Sequence, residues 1–167
     1  MRLEGESTSS ESVVGEGEIG EPGQVKRRDY RLPMERRQHH GVSPYEDAYG
    51  FSRAVRVGDV IYVSGTAPVP QPGSELAPDA HGQMIRCGAI AAEAIEALGG
   101  RMDDVVRTRM FIVDPADADD VGRAHRTVFG SAAPASTMVV VAGLLDPAWR
   151  VEIEVDVVVG SGREPDA

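Results

Sequence analysis

Alternating apolar and polar residues predict a β-hairpin as the first regular structure of the chain. The runs Ser52–Val57 and Val60–Val63 are separated by Gly58-Asp59, a dipeptide typical of tight turns. Three later runs are rich in β-branched residues or alternate with polar ones, and they predict further strands. These runs are Val105–Val113, Ser136–Val141 and Val151–Val159.

Two segments between the strands have helical periodicity. In Asp79–Leu98, apolar or small residues recur at steps of three and four and define one helix face, and Gly99-Gly100 ends the segment. The second segment begins at Asp114-Pro115, with Asp as the N-cap and Pro at the first helical position. The order β-β-α-β-α-β-β favours an α+β domain in which both helices cover one face of a mixed sheet.

The other face of this sheet is predicted to be polar. On the last strand Glu152, Glu154 and Asp156 lie on the side opposite to the apolar residues. Arg107 and Arg109 share one face of their own strand and can pair with those acids across the sheet. The pattern leaves open whether this polar face meets water or a partner.

The ends of the chain differ in composition from its body. Residues 1–23 are rich in Glu, Ser and Gly, and the basic stretch Lys26–Arg37 follows them. Residues 1–40 as a whole lack the apolar periodicity that a core requires. We therefore predict a disordered arm over 1–40, a domain over 41–160 and a flexible tail over 161–167.

Charge and composition narrow the class of protein. The net charge is −10, and the acidic excess falls on the body, which disfavours nucleic acid as a partner. No apolar run approaches the roughly 20 residues that span a bilayer, and the N-terminus does not resemble a signal peptide. With its single cysteine, Cys87, the chain is expected to be cytoplasmic and without a membrane association.

The sequence contains no recognisable cofactor or metal motif. Its four histidines have no partners at ligand spacing, and no glycine-rich phosphate loop lies between a strand and a helix. We therefore expect neither a cofactor nor a metal.

Several motifs together resemble the RidA (YjgF) family of enamine/imine deaminases. They are FSRAVRVGDVIYVSGTAPV, VVRTRMFIVD, GRAHRTVFG followed by SAAPASTMVVVAGL, and RVEIEVDVVVG, which together extend from about Phe51 to Val159. The resemblance implies a chorismate-mutase-like fold with a six-stranded sheet and two helices on one face. It also implies a homotrimer with clefts for a small-molecule ligand between subunits, which would cover the polar sheet face.

The resemblance implies that water attacks an imine carbon in this cleft. Glu152 occupies the position of the acid that orients the water, and Ser64 and Gly65 keep the family's VSG turn. The arginine that binds the substrate carboxylate in family members directly follows a Pro-Ala pair, and here that position is Ser136. Three further positions depart from the family pattern, namely Phe51, Thr66 and Met138.

The loss of this arginine leaves two hypotheses. The chain is a cofactor-independent hydrolase of a reactive imine, enamine or related metabolite, with Arg107 or Arg109 as a substitute cation or with an uncharged or differently placed ligand. Alternatively, it is a non-catalytic trimer of the same fold that binds a small molecule or another protein, because Ser136 provides no fixed charge.

Overall fold

A six-stranded mixed sheet forms the framework of the chain, in a computed structural model that describes residues 35–43 and 45–162. The strands lie in the order β1-β2-β3-β6-β4-β5, and neighbours are antiparallel except for β4 and β5. The strands are β1 (Arg36–His39), β2 (Ala54–Val57), β3 (Val60–Thr66), β4 (Val105–Ile112), β5 (Ala135–Val140) and β6 (Val151–Val158). The helices are α1 (Tyr45–Tyr49), α2 (Ala80–Ala97) and α3 (Ala118–Phe129), with 3₁₀ turns at Met102–Asp104 and Pro115–Asp117.

The two long helices cover one face of this sheet, which confirms the α+β prediction. The four apolar residues of β6, from Val151 to Val157, are fully buried in the same core as the apolar faces of α2 and α3. Gly88 lets the two helices approach closely, because a methyl group built there would lie 2.6 Å from Val128 Cγ1. The opposite side of the sheet, without a helix, is called the open face below.

Local capping explains where the helices begin and end. The Asp79 carboxylate accepts a hydrogen bond from Gly82 N at 2.7 Å, and Gly99 follows α2 with φ of +80°. The second helix differs from its prediction, because the residues after Asp114 first form a 3₁₀ turn in which Asp117 N bonds to Asp114 O at 3.0 Å. The α-helix itself therefore starts at Ala118.

The predicted boundaries of the arm and the tail need correction. Arg36–His39, placed in the arm by the sequence, forms the edge strand β1, whose polar sequence RRQH has no apolar alternation to reveal it. At the other end, Asp104 Oδ1 accepts hydrogen bonds from Gly160 N and Gly162 N, so the contacts of the domain extend to Gly162, beyond the predicted boundary at 160. The predictions for 1–34 and 163–167 concern residues outside the described ones.

We expect removal of residues 1–33 to leave the free energy of unfolding unchanged, whereas removal of 1–40 lowers it by about 1.5 kcal/mol or more. The longer deletion removes β1, and with it the bond from Arg37 Nη2 to Leu98 O at 2.7 Å, which has a charged donor. Urea unfolding of both truncated proteins and the full chain measures the difference. Equal midpoints for the two truncations would show that β1 adds no stability.

The open face carries the predicted polar ladder. Arg109 Nη1 lies 3.5 Å from Glu154 Oε2 and 3.4 Å from Asp156 Oδ2, and Arg107 Nε lies 3.9 Å from Asp156 Oδ2. The prediction of cross-strand pairs is confirmed, and the opposite charges largely balance. Among the described residues, no helix combines the length and the hydropathy needed to cross a bilayer.

Candidate functional site

The carboxylate of Glu152 rests directly on the backbone of Gly65, where β3 and β6 meet. The pairing of these strands shifts register between Val63 and Thr66, which places Gly65 in a bulge opposite the start of β6. A methyl group built on Gly65 would overlap Glu152 Oε1, so only glycine admits the carboxylate in this position. Two residues that the sequence marked as candidates therefore form one contact.

The surroundings of Glu152 favour its protonated form. Burial raises the pKa of Glu152 above its usual value, Glu154 adds to this effect and Arg53 opposes it. In the described part of the chain no cation lies within 4.0 Å of this carboxylate. A carboxylate with a raised pKa is suited to accept a proton from water.

Arg53 completes this corner of the open face, and sequence reasoning missed it. Ser64 N bonds to Arg53 O at 3.1 Å, so Arg53 projects to the side opposite the buried Ala54. Its Nη2 donates to Gly65 O. The available signal was an arginine between two small residues, Ser52 and Ala54, in the predicted strand Ser52–Val57, but nothing local connects it to Glu152.

The hydroxyl groups of Ser64, in the VSG turn, and of Thr66, which follows the turn, donate hydrogen bonds to backbone carbonyl groups. Ser64 Oγ donates to Ser52 O at 2.8 Å, and Thr66 Oγ1 donates to Ser64 O at 2.8 Å. The Thr66 side chain is 0% exposed and lies on the helix-covered side. Phe51 is 37% exposed and follows the short helix α1, where its N–H donates to Glu46 O. Of these residues, Phe51 offers a side-chain surface to a ligand.

Ser136 and Met138 lie on the face of the sheet opposite to Glu152. β5 pairs Ser136 with the buried Thr108, and Thr108 Oγ1 donates to Ser136 Oγ at 3.0 Å. Thr108 Oγ1 also lies 2.8 Å from His125 Nε2, and burial lowers the pKa of this histidine, which favours its neutral form. Within one chain, therefore, the candidate residues fall into two groups on opposite faces.

The remaining candidates are either engaged or distant from Glu152. Arg107 and Arg109 form the ion pairs of the open face, and β4 places Phe111 rather than an arginine opposite Glu152. The Cys87 thiol is buried, and burial raises its pKa, which disfavours the thiolate form. Depressions of about 150 Å³ at Pro68–Arg86 and about 290 Å³ beside Pro134 contain neither Gly65 nor Glu152. The described residues contain no group of three side chains arranged to hold a metal ion.

Comparisons with known proteins agree with this architecture. A family profile described as Endoribonuclease L-PSP matches residues 43–159. An uncharacterized protein of Streptomyces coelicolor is 37% identical over 114 residues, which are 68% of this chain and 85% of that protein. A RutC family protein of Saccharolobus solfataricus is 32% identical over 95 residues, covering 56% of this chain and 75% of that protein.

A solved structure supports the same conclusion. The crystal structure of a Mycobacterium tuberculosis member of the YjgF/YER057c/UK114 family superposes with a TM-score of 0.69 at 34% identity. The superposition covers 75% of this chain and all of that one. Because the profile spans the described domain and these relatives share its sequence and fold, the chain belongs to the RidA (YjgF) family.

Proposed function

We propose that the protein hydrolyses a small, reactive imine or enamine without a cofactor. Glu152 carries this proposal, because a carboxylate that is partly buried, not ion-paired within the described residues and seated on Gly65 can orient and deprotonate water. As the water oxygen adds to the imine carbon, Glu152 takes its proton. Glu152 returns this proton to the imine nitrogen, which gives a carbinolamine. The carbinolamine hydroxyl then passes its proton to nitrogen as the C=O bond forms and the C–N bond breaks, which gives a carbonyl compound and ammonia. An enamine enters the same route after protonation at carbon converts it to the imine.

The same proposal includes a homotrimer with its ligand clefts between subunits. Ser136 and Glu152 lie on opposite faces of one sheet, so they can line one cleft only if different copies contribute them. The balanced charges and the 52%-exposed Tyr62 make the open face compatible with burial against another copy. A closed ring would bury the same surface in each subunit.

Sedimentation velocity at micromolar concentration is expected to give a single species of three times the chain mass of 17.8 kDa. Three copies would cover the open face, whose ion pairs are stronger when shielded from water. A sample that sediments at the mass of one chain would contradict the trimer, and dilution to nanomolar concentration provides the comparison.

The activity itself is tested with imines generated freshly in solution. Purified protein should accelerate ammonia release from at least one of an amino-acid-derived imine, a neutral imine and an enamine, relative to buffer. Heat-denatured protein is the control for catalysis by side-chain amines. Unchanged rates with all three substrates would reject the hydrolase.

A binding protein without catalysis is the second candidate, and Ser136 is the observation that favours it. Its hydroxyl accepts from Thr108 and offers no fixed charge where family members place an arginine. Ligands that raise the melting temperature but are not turned over would support this alternative. The family description also names an endoribonuclease, but the acidic body repels phosphate backbones, and we do not propose RNA as the substrate.

A further inference from the structure

Arg53 is a half-buried cation without an ion-pair partner in the described part of the chain. Arg107 and Arg109, which also lie on the open face, are both within 4.0 Å of a carboxylate. Arg53 has no such neighbour, and the one hydrogen bond of its side chain among the described residues runs from Nη2 to Gly65 O. Its Nε is buried and has no acceptor there.

This arrangement is costly for a guanidinium group. Burial lowers the pKa of Arg53, which reflects the loss of water around the charge, yet arginine stays protonated in proteins. A buried charge is ordinarily compensated by a paired and hydrogen-bonded opposite charge. One backbone carbonyl satisfies only one of the five N–H groups, so the side chain retains unused capacity to bind an anion.

The nearby carboxylates do not use this capacity. Glu46 and Glu152 act on Arg53 only through space, beyond ion-pair distance. Glu46 is committed elsewhere, because both of its oxygens accept from Gly41 N and Oε2 lies 3.4 Å from His40 Nδ1. Arg53 Nη1 makes no hydrogen bond to a described residue and is not among the buried, unsatisfied atoms, so within one chain water or a ligand can reach it.

We propose that Arg53 binds the carboxylate of an anionic ligand beside Glu152, a role that the position of Ser136 cannot fill. The guanidinium presents two N–H groups in a plane, which matches the two oxygens of a carboxylate. If the protein is a hydrolase, as proposed above, the Arg53 site makes it selective for imines that carry a carboxylate. The binding of a carboxylate at Arg53 does not depend on the proposed hydrolysis.

Gly65 contacts both Arg53, which would bind the ligand carboxylate, and Glu152, which would act as the base. Its carbonyl oxygen accepts from Arg53, and its Cα supports the Glu152 carboxylate. One residue therefore fixes the spacing between the group that holds the ligand and the group that orients water. Such fixed spacing is how an enzyme lowers a barrier by positioning.

Calorimetric titration of the full-length protein with pyruvate tests this site, since pyruvate carries the carboxylate of a product. We expect wild type to bind pyruvate and Arg53→Gln to bind it about 10- to 150-fold more weakly, the factor for a lost charged hydrogen bond. Arg53→Lys keeps the charge but not the planar pair of donors, and its affinity should lie between the two. Arg123→Gln removes an exposed helix arginine that pairs with Asp120 and should bind like wild type.

The outcomes separate the inference from the proposed function. Absence of pyruvate binding by wild type, or equal binding by folded Arg53→Gln, would overturn the role of Arg53 while leaving hydrolysis of neutral imines possible. Binding that depends on Arg53 without turnover of any imine would uphold the site and reject the hydrolase. If Arg53→Gln does not fold, Arg53→Lys decides, because unchanged pyruvate affinity in that variant contradicts planar recognition.

Discussion

Gly65→Ala is expected to lower kcat/KM for imine hydrolysis by about 100-fold while the protein stays folded. The added methyl group would overlap Glu152 Oε1 and must displace that carboxylate. A misplacement of about 1 Å at a reacting group costs roughly two orders of magnitude in rate. The displaced atom is the end of a flexible side chain, so we expect a stability loss of at most about 1 kcal/mol, or 2–4 °C in Tm.

The same substitution at a second glycine serves as a control. It separates the effect of displacing the Glu152 carboxylate from any general effect of replacing glycine with alanine. Gly143 is exposed, and a methyl group built there meets no atom within 4 Å. Gly143→Ala should therefore keep the rate of wild type. If Gly65→Ala retains full activity with an unchanged Tm, activity does not require the contact between the Glu152 carboxylate and Gly65, and the proposed geometry of the base is wrong.

Glu152→Gln is expected to remove activity and to stabilise the protein at neutral pH. Loss of a general base lowers rates by about 10²- to 10⁴-fold. Burial raises the pKa of Glu152 in the folded state above its unfolded value, so its ionised form is disfavoured in the fold. The contribution of Glu152 to the stability of wild type is then fully present below the unfolded pKa and is lost as pH rises through the folded pKa. Glutamine remains neutral and avoids this loss.

Melting temperatures measured from pH 3 to pH 8 test the sign of this effect. The Tm of Glu152→Gln should exceed that of wild type near pH 7, and the difference should vanish towards pH 3. Glu154→Gln is the control, because the Glu154 carboxylate lies 3.5 Å from Arg109 Nη1, so its removal should bring no gain in Tm. A Glu152→Gln protein that melts below wild type at pH 7 would contradict the unfavourable burial of this charge.

Features set by neighbouring residues in the sequence were predicted correctly. The hairpin around Gly58-Asp59, the cap at Asp79 and the alternation of β6 each depend on residues a few positions apart. The ion pair between Arg109 and Glu154 could be predicted because side chains on the same face of adjacent strands lie next to each other. Short-range rules of this kind are sufficient for most of the sheet.

Features that depend on distant contacts were not predicted. β1 is polar on both sides, so its place is set by pairing with β2 and by the bond from Arg37 to Leu98 rather than by a pattern. Arg53 gains its significance only when the bulge brings Gly65 and Glu152 to it. Sequence order likewise could not reveal that Ser136 and Glu152 lie on opposite faces, since that follows from the register of β5 on β4.

The two edges of the sheet differ in a way that limits uncontrolled assembly. β1 presents Arg36 and Arg37 at one edge, whereas β5 at the other exposes Val139 (42%) and Val140 (55%). Edge-to-edge growth into a fibre requires each new copy to dock one edge against the opposite edge of the last, and charged edge residues oppose such pairing. The charged edge therefore protects a protein with an apolar strand edge from amyloid-like stacking.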